Sequence, residues 1–157
     1  MNDIMAEQIQ WLVDRAHISD LLYSFARALD TKDAAAYVAN YAEGGVLELP
    51  DPTSSTGAMV IVPRERLLEF VQKGLAEAYR GTHHMSTNHQ ITIEGDTARS
   101  RSYLQAVHIR ETPFDHWDAG GWYDCEYVRT PAGWKFTRVT LTSVWMSGRP
   151  DGGVTNT

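Results

Sequence analysis

Gly81-Thr82-His83-His84-Met85-Ser86-Thr87-Asn88-His89-Gln90-Ile91 is the stretch at which the chain changes its period. Before it, apolar residues recur at three- and four-residue steps, the spacing of helices. After it, apolar and polar residues alternate, the spacing of strands. The stretch also holds three of the six histidines. Successive side chains of a strand point to opposite faces, so His84, Ser86 and Asn88 share one face and His83, Met85 and Thr87 the other. Both sets carry polar groups, and alternation leaves open which face is inside. A buried histidine without a hydrogen bond costs about 1–3 kcal/mol, so a partner must come from elsewhere in the chain. Our candidate is Asp30.

Upstream, residues 4–29 read as a helix, with Ile9, Leu12, Val13, Ala16, Leu21, Leu22, Phe25 and Leu29 on one stripe. It ends at Asp30-Thr31-Lys32-Asp33. Asp33 is the better cap for the next segment, Ala34-Ala35-Ala36-Tyr37-Val38, which leaves Asp30 without a structural task. The second helix ends near Tyr41, with Gly44-Gly45 as its stop. Val46–Leu49 and Met59–Val62 are short strand candidates. The loop between them, residues 50–58, is long enough to form a lid or pocket rim. Pro63 opens a third helix where its missing N–H is harmless, and Gly81 ends it.

Downstream, Thr82–Ile93 and Thr97–Arg110 form a hairpin around Glu94-Gly95-Asp96. Residues 111–121 read as a loop, Trp122–Arg129 as a strand, 130–133 as a turn and Trp134–Trp145 as a last strand. Helices followed by a run of antiparallel strands mean α+β, with the helices packed on one face of a sheet that curls around them. One domain is expected over residues 1–147, with a flexible tail over 148–157. In the hairpin, residues whose numbers sum to about 191 lie opposite each other, so His84 comes near Val107 or His108. A slip of one residue would reverse the face.

A chain of 157 residues with 43% apolar content can build one real core. The net charge of −6 lacks the basic footprint of a nucleic-acid binder, and no apolar run is long enough for a membrane span. The start, Met1-Asn2-Asp3-Ile4, has no basic segment leading into an apolar one, so no secretory leader is expected. The single cysteine, Cys125, can form no internal disulfide, and the expected compartment is the cytoplasm. Cys125 has no evident activating base, and no G-x-S-x-G elbow or Gly-rich phosphate loop is present. The histidines lack H-E-x-x-H or C-x-x-C spacing, and adjacent strand histidines diverge. Neither a metal nor an organic cofactor is expected.

The helix Ile18-Ser19-Asp20-Leu21-Leu22-Tyr23-Ser24-Phe25-Ala26-Arg27-Ala28-Leu29-Asp30, the stretch Thr82–Asn88, the strand Gly120-Gly121-Trp122-Tyr123-Asp124-Cys125-Glu126-Tyr127-Val128-Arg129 and the following Gly133-Trp134-Lys135-Phe136 together resemble the SnoaL-like branch of the NTF2-like superfamily. The resemblance spans about residues 5–147. It implies a cone-shaped α+β fold with three helices packed on a curved antiparallel sheet. That fold hosts dehydratases, dehydrochlorinases, isomerases, cyclases and non-catalytic subunits.

In the family's lyases, such as scytalone dehydratase, hexachlorocyclohexane dehydrochlorinase and bile acid 7α-dehydratase, an Asp ending the first helix hydrogen-bonds a His on the sheet that acts as general base. By similarity these are Asp30 and His84. His108 matches a second active-site histidine, and Arg129 a pocket arginine, of some relatives. Five residues before the Asp, where some relatives carry Lys or Tyr to help the leaving group, this chain has Phe25. The leaving-group acid would then come from elsewhere, such as Tyr23, Tyr41, His108 or Tyr123, or the reaction would need none.

A carboxylate beside an imidazole fixes its tautomer and strengthens the far nitrogen as a base, which suits proton abstraction from carbon. The expectation is a cofactor-independent lyase, a dehydratase or related eliminating enzyme, for a small hydrophobic alicyclic or aromatic substrate. Tyr23, Phe25, Tyr41, Met85, Asn88, His108, Trp122, Tyr123, Arg129 and Trp145 are candidate substrate contacts. The same dyad could isomerise, cyclise or cleave a C–C bond with loss of formaldehyde. The opposing expectation is a ligand-binding module or an assembly subunit like the β subunit of ring-hydroxylating dioxygenases, with Asp30 and His84 apart or sealed from any cavity. Open sheets of this kind bury one face against another copy, so a homodimer or homotrimer is expected.

Overall fold

The structure is a computed structural model that describes residues 3–51 and 56–148. Its order is α1 (Asp3–Asp30), α2 (Ala34–Ala39), β1 (Tyr41–Pro50), β2 (Met59–Pro63), α3 (Arg64–Val71) with a π-helical turn (Gln72–Ala76), β3 (Gly81–Glu94), β4 (Thr97–Ile109), β5 (His116–Thr130) and β6 (Gly133–Ser147). The strands form one curved, unclosed sheet in the order β2-β1-β6-β5-β4-β3, with the helices on one side. The fold is α+β, as the resemblance implied. The sheet is mixed rather than wholly antiparallel, because β1 runs parallel to β6. β1 leaves the helical layer early in the chain and meets β6 only after the whole meander, a long crossover of the kind that parallel neighbours require.

The core lies between α1, α2, α3 and the inner sheet face. Ile18, Leu22, Tyr37, Leu67, Val71, Tyr127, Phe136 and Val139 are all but fully buried. Only the second half of α1 takes part. Its buried positions begin at Asp14, whereas Ile9, Leu12 and Val13, expected on the core stripe, are exposed.

Two glycine pairs were misread as ends of elements. α2 stops at Asn40, and Gly44-Gly45 lie inside β1 at a register shift between Tyr41 and Val46. A Cβ on Gly45 would press on the carbonyls of Ala42 and Phe136. Gly120-Gly121, read as the end of a loop, lie well inside β5, where a Cβ on Gly120 would collide with the Trp145 ring. Pro63 ends β2 and stands one residue before the first helical residue. The rim expected over residues 50–58 lies partly outside the described residues, as does the tail beyond Gly148. Among the described residues no helix is long and apolar enough to cross a membrane.

Candidate active site

Asp30 is the last helical residue of α1. The helix halts in a Schellman turn: the Asp33 N–H donates to the Ala28 carbonyl at 2.9 Å and the Lys32 N–H to that of Leu29 at 3.1 Å. Lys32 adopts φ 59°, a left-handed conformation that costs a side-chain residue energy. Its ammonium offsets this by donating to the carbonyls of Ala76 and Tyr79 at 2.8 and 2.7 Å. Asp33 caps α2 through the Ala36 N–H at 2.9 Å. The Asp30 carboxylate is thereby left to face the start of β3.

There it meets His84. Nδ1 of the ring lies 2.7 Å from Asp30 Oδ1. The His84 N–H donates to Oδ2 at 2.9 Å, and the Thr82 hydroxyl to Oδ1 at 3.0 Å. Burial pushes the Asp30 carboxyl upward, but the His84 ring, the His84 N–H and the Thr82 hydroxyl together outweigh it and hold it below the usual carboxylate range. Beside an ionised carboxylate, Nδ1 carries the proton and Nε2 keeps its lone pair. Among the described residues nothing hydrogen-bonds Nε2, and the ring lines a cavity.

A bulge places His84 on the inner face. Thr87 pairs with Tyr103 but Gln90 pairs with Arg101, one extra residue on β3, and Asn88 sits there at φ 54°. The extra residue reverses the parity of the strand. Ile91 faces the core beyond the bulge, and His84 and Thr82 face inward before it. The pairing accordingly differs from the simple hairpin by one: His84 lies opposite Ala106, and His108 opposite Thr82. Both histidines are thus on the inner face, with ring centroids 5.3 Å apart and planes at 88°.

The row that crosses the sheet from His84 is Ala106, Ala119 and Met146. Two alanines there leave a hollow in front of the imidazole. The result is a cavity of about 400 Å³, roofed by Phe25, Leu29, Tyr37, Phe70, Val71, Leu75 and Tyr79 and floored by His84, Leu104, Ala106, His108, Trp117, Ala119, Tyr123, Leu141, Ser143 and Met146. That volume suits a small organic ligand. His108 stacks flat on Trp117, centroids 3.9 Å apart at 3°, and the Trp117 indole N–H donates to the Tyr79 hydroxyl at 3.0 Å. Burial first and the neighbouring His84 second push His108 down to about 4, so it is neutral at neutral pH. Its Nδ1 is buried without a hydrogen-bond partner among the described residues. Burial also raises Tyr123 above the usual phenol range, which keeps its hydroxyl protonated.

Of the residues expected around a substrate, Phe25, His108 and Tyr123 line this cavity with His84. The others lie elsewhere. Tyr23 is exposed, its ring 5.0 Å from His89. Tyr41 is buried behind the cavity wall, its hydroxyl 3.1 Å from that of Tyr37. Met85 points to the outer face, and Asn88 is exposed in the bulge. His89 turns inward instead, between the hydroxyls of Ser86 at 3.1 Å and Ser19 at 3.0 Å. Trp122 lies on the outer face under the Arg101 guanidinium, and Trp145 covers Gly120.

Arg129 is far from the dyad. It grips the buried Asp14 with two hydrogen bonds of 2.6 and 2.8 Å, binds Asp96 at 2.9 Å and lies 4.4 Å over the Trp134 ring. The hydrogen bonds from Arg129 are the main cause that holds Asp14 far below the carboxylate range. Sequence reasoning missed this partner of Arg129, and it missed Trp117, Tyr79 and the two alanines in the site. The alternation Leu104, Ala106, His108 was the one available signal for the floor. Among the described residues no three His, Cys, Asp or Glu side chains are grouped so as to hold a metal ion.

Comparison with known proteins agrees with this architecture. The family model of the SnoaL-like domain matches residues 10–140. A "putative aromatic ring hydroxylase" from Novosphingobium aromaticivorans is 31% identical, covering 90% of this chain and 96% of its own, with TM-score 0.75. A "putative scytalone dehydratase" from the same organism is 22% identical over 88% and 89%, TM-score 0.75. Hexachlorocyclohexane dehydrochlorinase LinA-type3 from Novosphingobium barchaimii LL02 is 15% identical over 89% and 92%, TM-score 0.74. The last two likenesses speak to the fold, which NTF2-like proteins also share. No curated protein matches. By the match of its model across most of the sequence, the chain belongs to the SnoaL-like domain family.

Proposed function

We propose that this protein is a cofactor-independent lyase that removes water or a related leaving group from a small hydrophobic alicyclic or aromatic substrate. The observation that carries the reading is the Asp30–His84 hydrogen bond of 2.7 Å at the wall of an apolar cavity of about 400 Å³. His84 Nε2 takes a proton from carbon, and the C–H electron pair becomes the new double bond. The leaving group departs with its own bonding pair. A hydroxyl needs a proton to leave as water, and the proton just taken by His84 is the nearest source. Asp30 keeps the ring in the right tautomer and faces the charge that forms on it. Tyr123 and His108 are the protonated and neutral groups that can hydrogen-bond the substrate's oxygen. Tyr23 and Tyr41 drop out of the list of acids because neither lines the cavity. Fold likeness to a dehydratase and a dehydrochlorinase adds support by analogy.

His84→Ala tests the proposal. Wild type should convert at least one member of a panel of hydroxylated and halogenated ring compounds, while the variant keeps its circular dichroism spectrum and loses turnover. A fully active variant ends the reading. Return of the proton to a different carbon would make the enzyme an isomerase, and a new product of the same elemental composition as the substrate, with its double bond moved, would identify that outcome. Self-association belongs to the same proposal, since Met85, Tyr103 and Trp145 stand exposed on strands of the sheet. Sedimentation as a monomer would overturn it.

A further inference from the structure

We propose that the cavity selects electrically neutral ring compounds of one or two rings and turns away carboxylates and other anions. This deepens the reading above and rests on it only in taking the cavity as the substrate site. None of the side chains lining the cavity is Lys, Arg, Asp or Glu. An anion entering it would give up its hydration without meeting a countercharge, and a buried unpaired charge is among the most costly arrangements in a protein. The nearby cations are committed elsewhere. Lys32 is spent on the Ala76 and Tyr79 carbonyls, and Arg64 donates to the Tyr41 carbonyl at 3.1 Å.

The imidazoles do not fill the gap. His84 has its Nδ1 on Asp30, and the one ionised group behind the wall is therefore negative. His108 is buried, and the His84 ring lies against it; both disfavour a charge on it. What the site does offer is neutral polarity: the Tyr123 hydroxyl and the face of the neutral His108 ring, in walls of Leu, Val, Phe and Ala. A hydroxyl or carbonyl oxygen on an otherwise apolar ring can pair with the Tyr123 hydroxyl at little cost, whereas a carboxylate of the same shape would accept the same hydrogen bond and still keep a charge that nothing in the wall compensates.

Titration calorimetry at pH 7 with 2-naphthol and 2-naphthoate compares one ring system with and without charge. The naphthol should bind at least 100-fold more tightly than the naphthoate, and Ala106→Phe, which fills the hollow, should abolish its binding. Leu49 lines the cavity as a partly buried side chain packed against the core, so Leu49→Lys places an ammonium in the wall; it should lower the melting temperature but raise naphthoate affinity at least tenfold in the folded protein. Equal affinity for the two compounds in the wild type overturns the proposal. So does failure of the naphthol to bind up to its solubility limit, or a folded Leu49→Lys that gains nothing for naphthoate. These are equilibrium measurements. A catalytically dead wild type that still prefers the naphthol would sink the lyase reading and leave this selectivity standing, and the converse result would do the opposite.

Discussion

Two ionisable residues at the site have opposite tasks, and both can be tested through their protons. Asp30 must stay charged to hold the His84 tautomer. Asp30→Asn keeps an acceptor for the His84 N–H but no longer dictates which ring nitrogen carries hydrogen. Turnover should fall about 10²–10⁴-fold with KM little changed, as steady-state kinetics on any accepted substrate would show. His108 must stay neutral. Its pKa is depressed from 6.5 to about 4, burial being the larger cause. As pH falls through about 6.5 the unfolded chain takes up a proton that the folded chain refuses until about pH 4. The stability tied to this residue is whole above pH 6.5 and is lost on the way down to 4, on the order of 3 kcal/mol. Asp30, also depressed, acts in the lower window, with its contribution present above the ordinary carboxylate pKa and lost as pH falls below it. Urea unfolding at pH 7 and pH 4.5 should therefore show a smaller drop in His108→Phe than in wild type, by about 2 kcal/mol; equal drops would deny His108 this role.

The decisive element is β3, and within it the bulge. Deleting Asn88 restores strict alternation and would drive either Ile91 out of the core or His84 out of the cavity. That variant should be inactive and markedly less stable. Asn88→Gly keeps the extra residue and accepts φ 54° more easily, so it should stay active and be as stable as wild type or up to about 1 kcal/mol more so. Thermal melts and activity of the two variants separate the bulge from the side chain. The same element shows what the sequence could and could not disclose. The switch of period at Gly81, the hairpin turn and the Asp33 cap were legible, because they rest on local spacing and local hydrogen bonds. The bulge was not, since nothing in Thr87-Asn88-His89 distinguishes an extra residue from a strand position. With the parity lost, Asn88 was put on the face that His89 supplies. Trp122 and Trp145 were misplaced for another reason: aromatic residues cover sheet faces as readily as they line cavities, and only the pairing of Gly120 with Trp145 shows which they do.

At the scale of the whole molecule, the cavity lies at one end of the sheet and a separate clasp closes the other. Asp14 on α1 joins Arg129 on β5 and the Trp134 indole on β6 at 3.0 Å, while Arg129 also holds Asp96 in the β3–β4 turn. Three distant parts of the chain meet at one buried carboxylate and a fourth joins through Arg129, and no local pattern could have announced it. The clasp anchors the second half of α1 at its Asp14 end, so the other end of that half presents Asp30 at a set depth over His84. Breaking the ion pair strands a buried charge. Arg129→Met should cost about 3 kcal/mol, the low end for a buried pair, because Arg129 itself is about a third exposed. The double variant Asp14→Leu, Arg129→Met removes both charges and should recover much of that loss. If Arg129 only braces the fold, the folded fraction of Arg129→Met should bind ligand with wild-type affinity and turn over substrate at nearly the wild-type rate when assayed well below its melting temperature. A loss of turnover with stability unchanged would instead put Arg129 at the substrate, at odds with the distance its contacts with Asp14 and Asp96 keep it from the dyad.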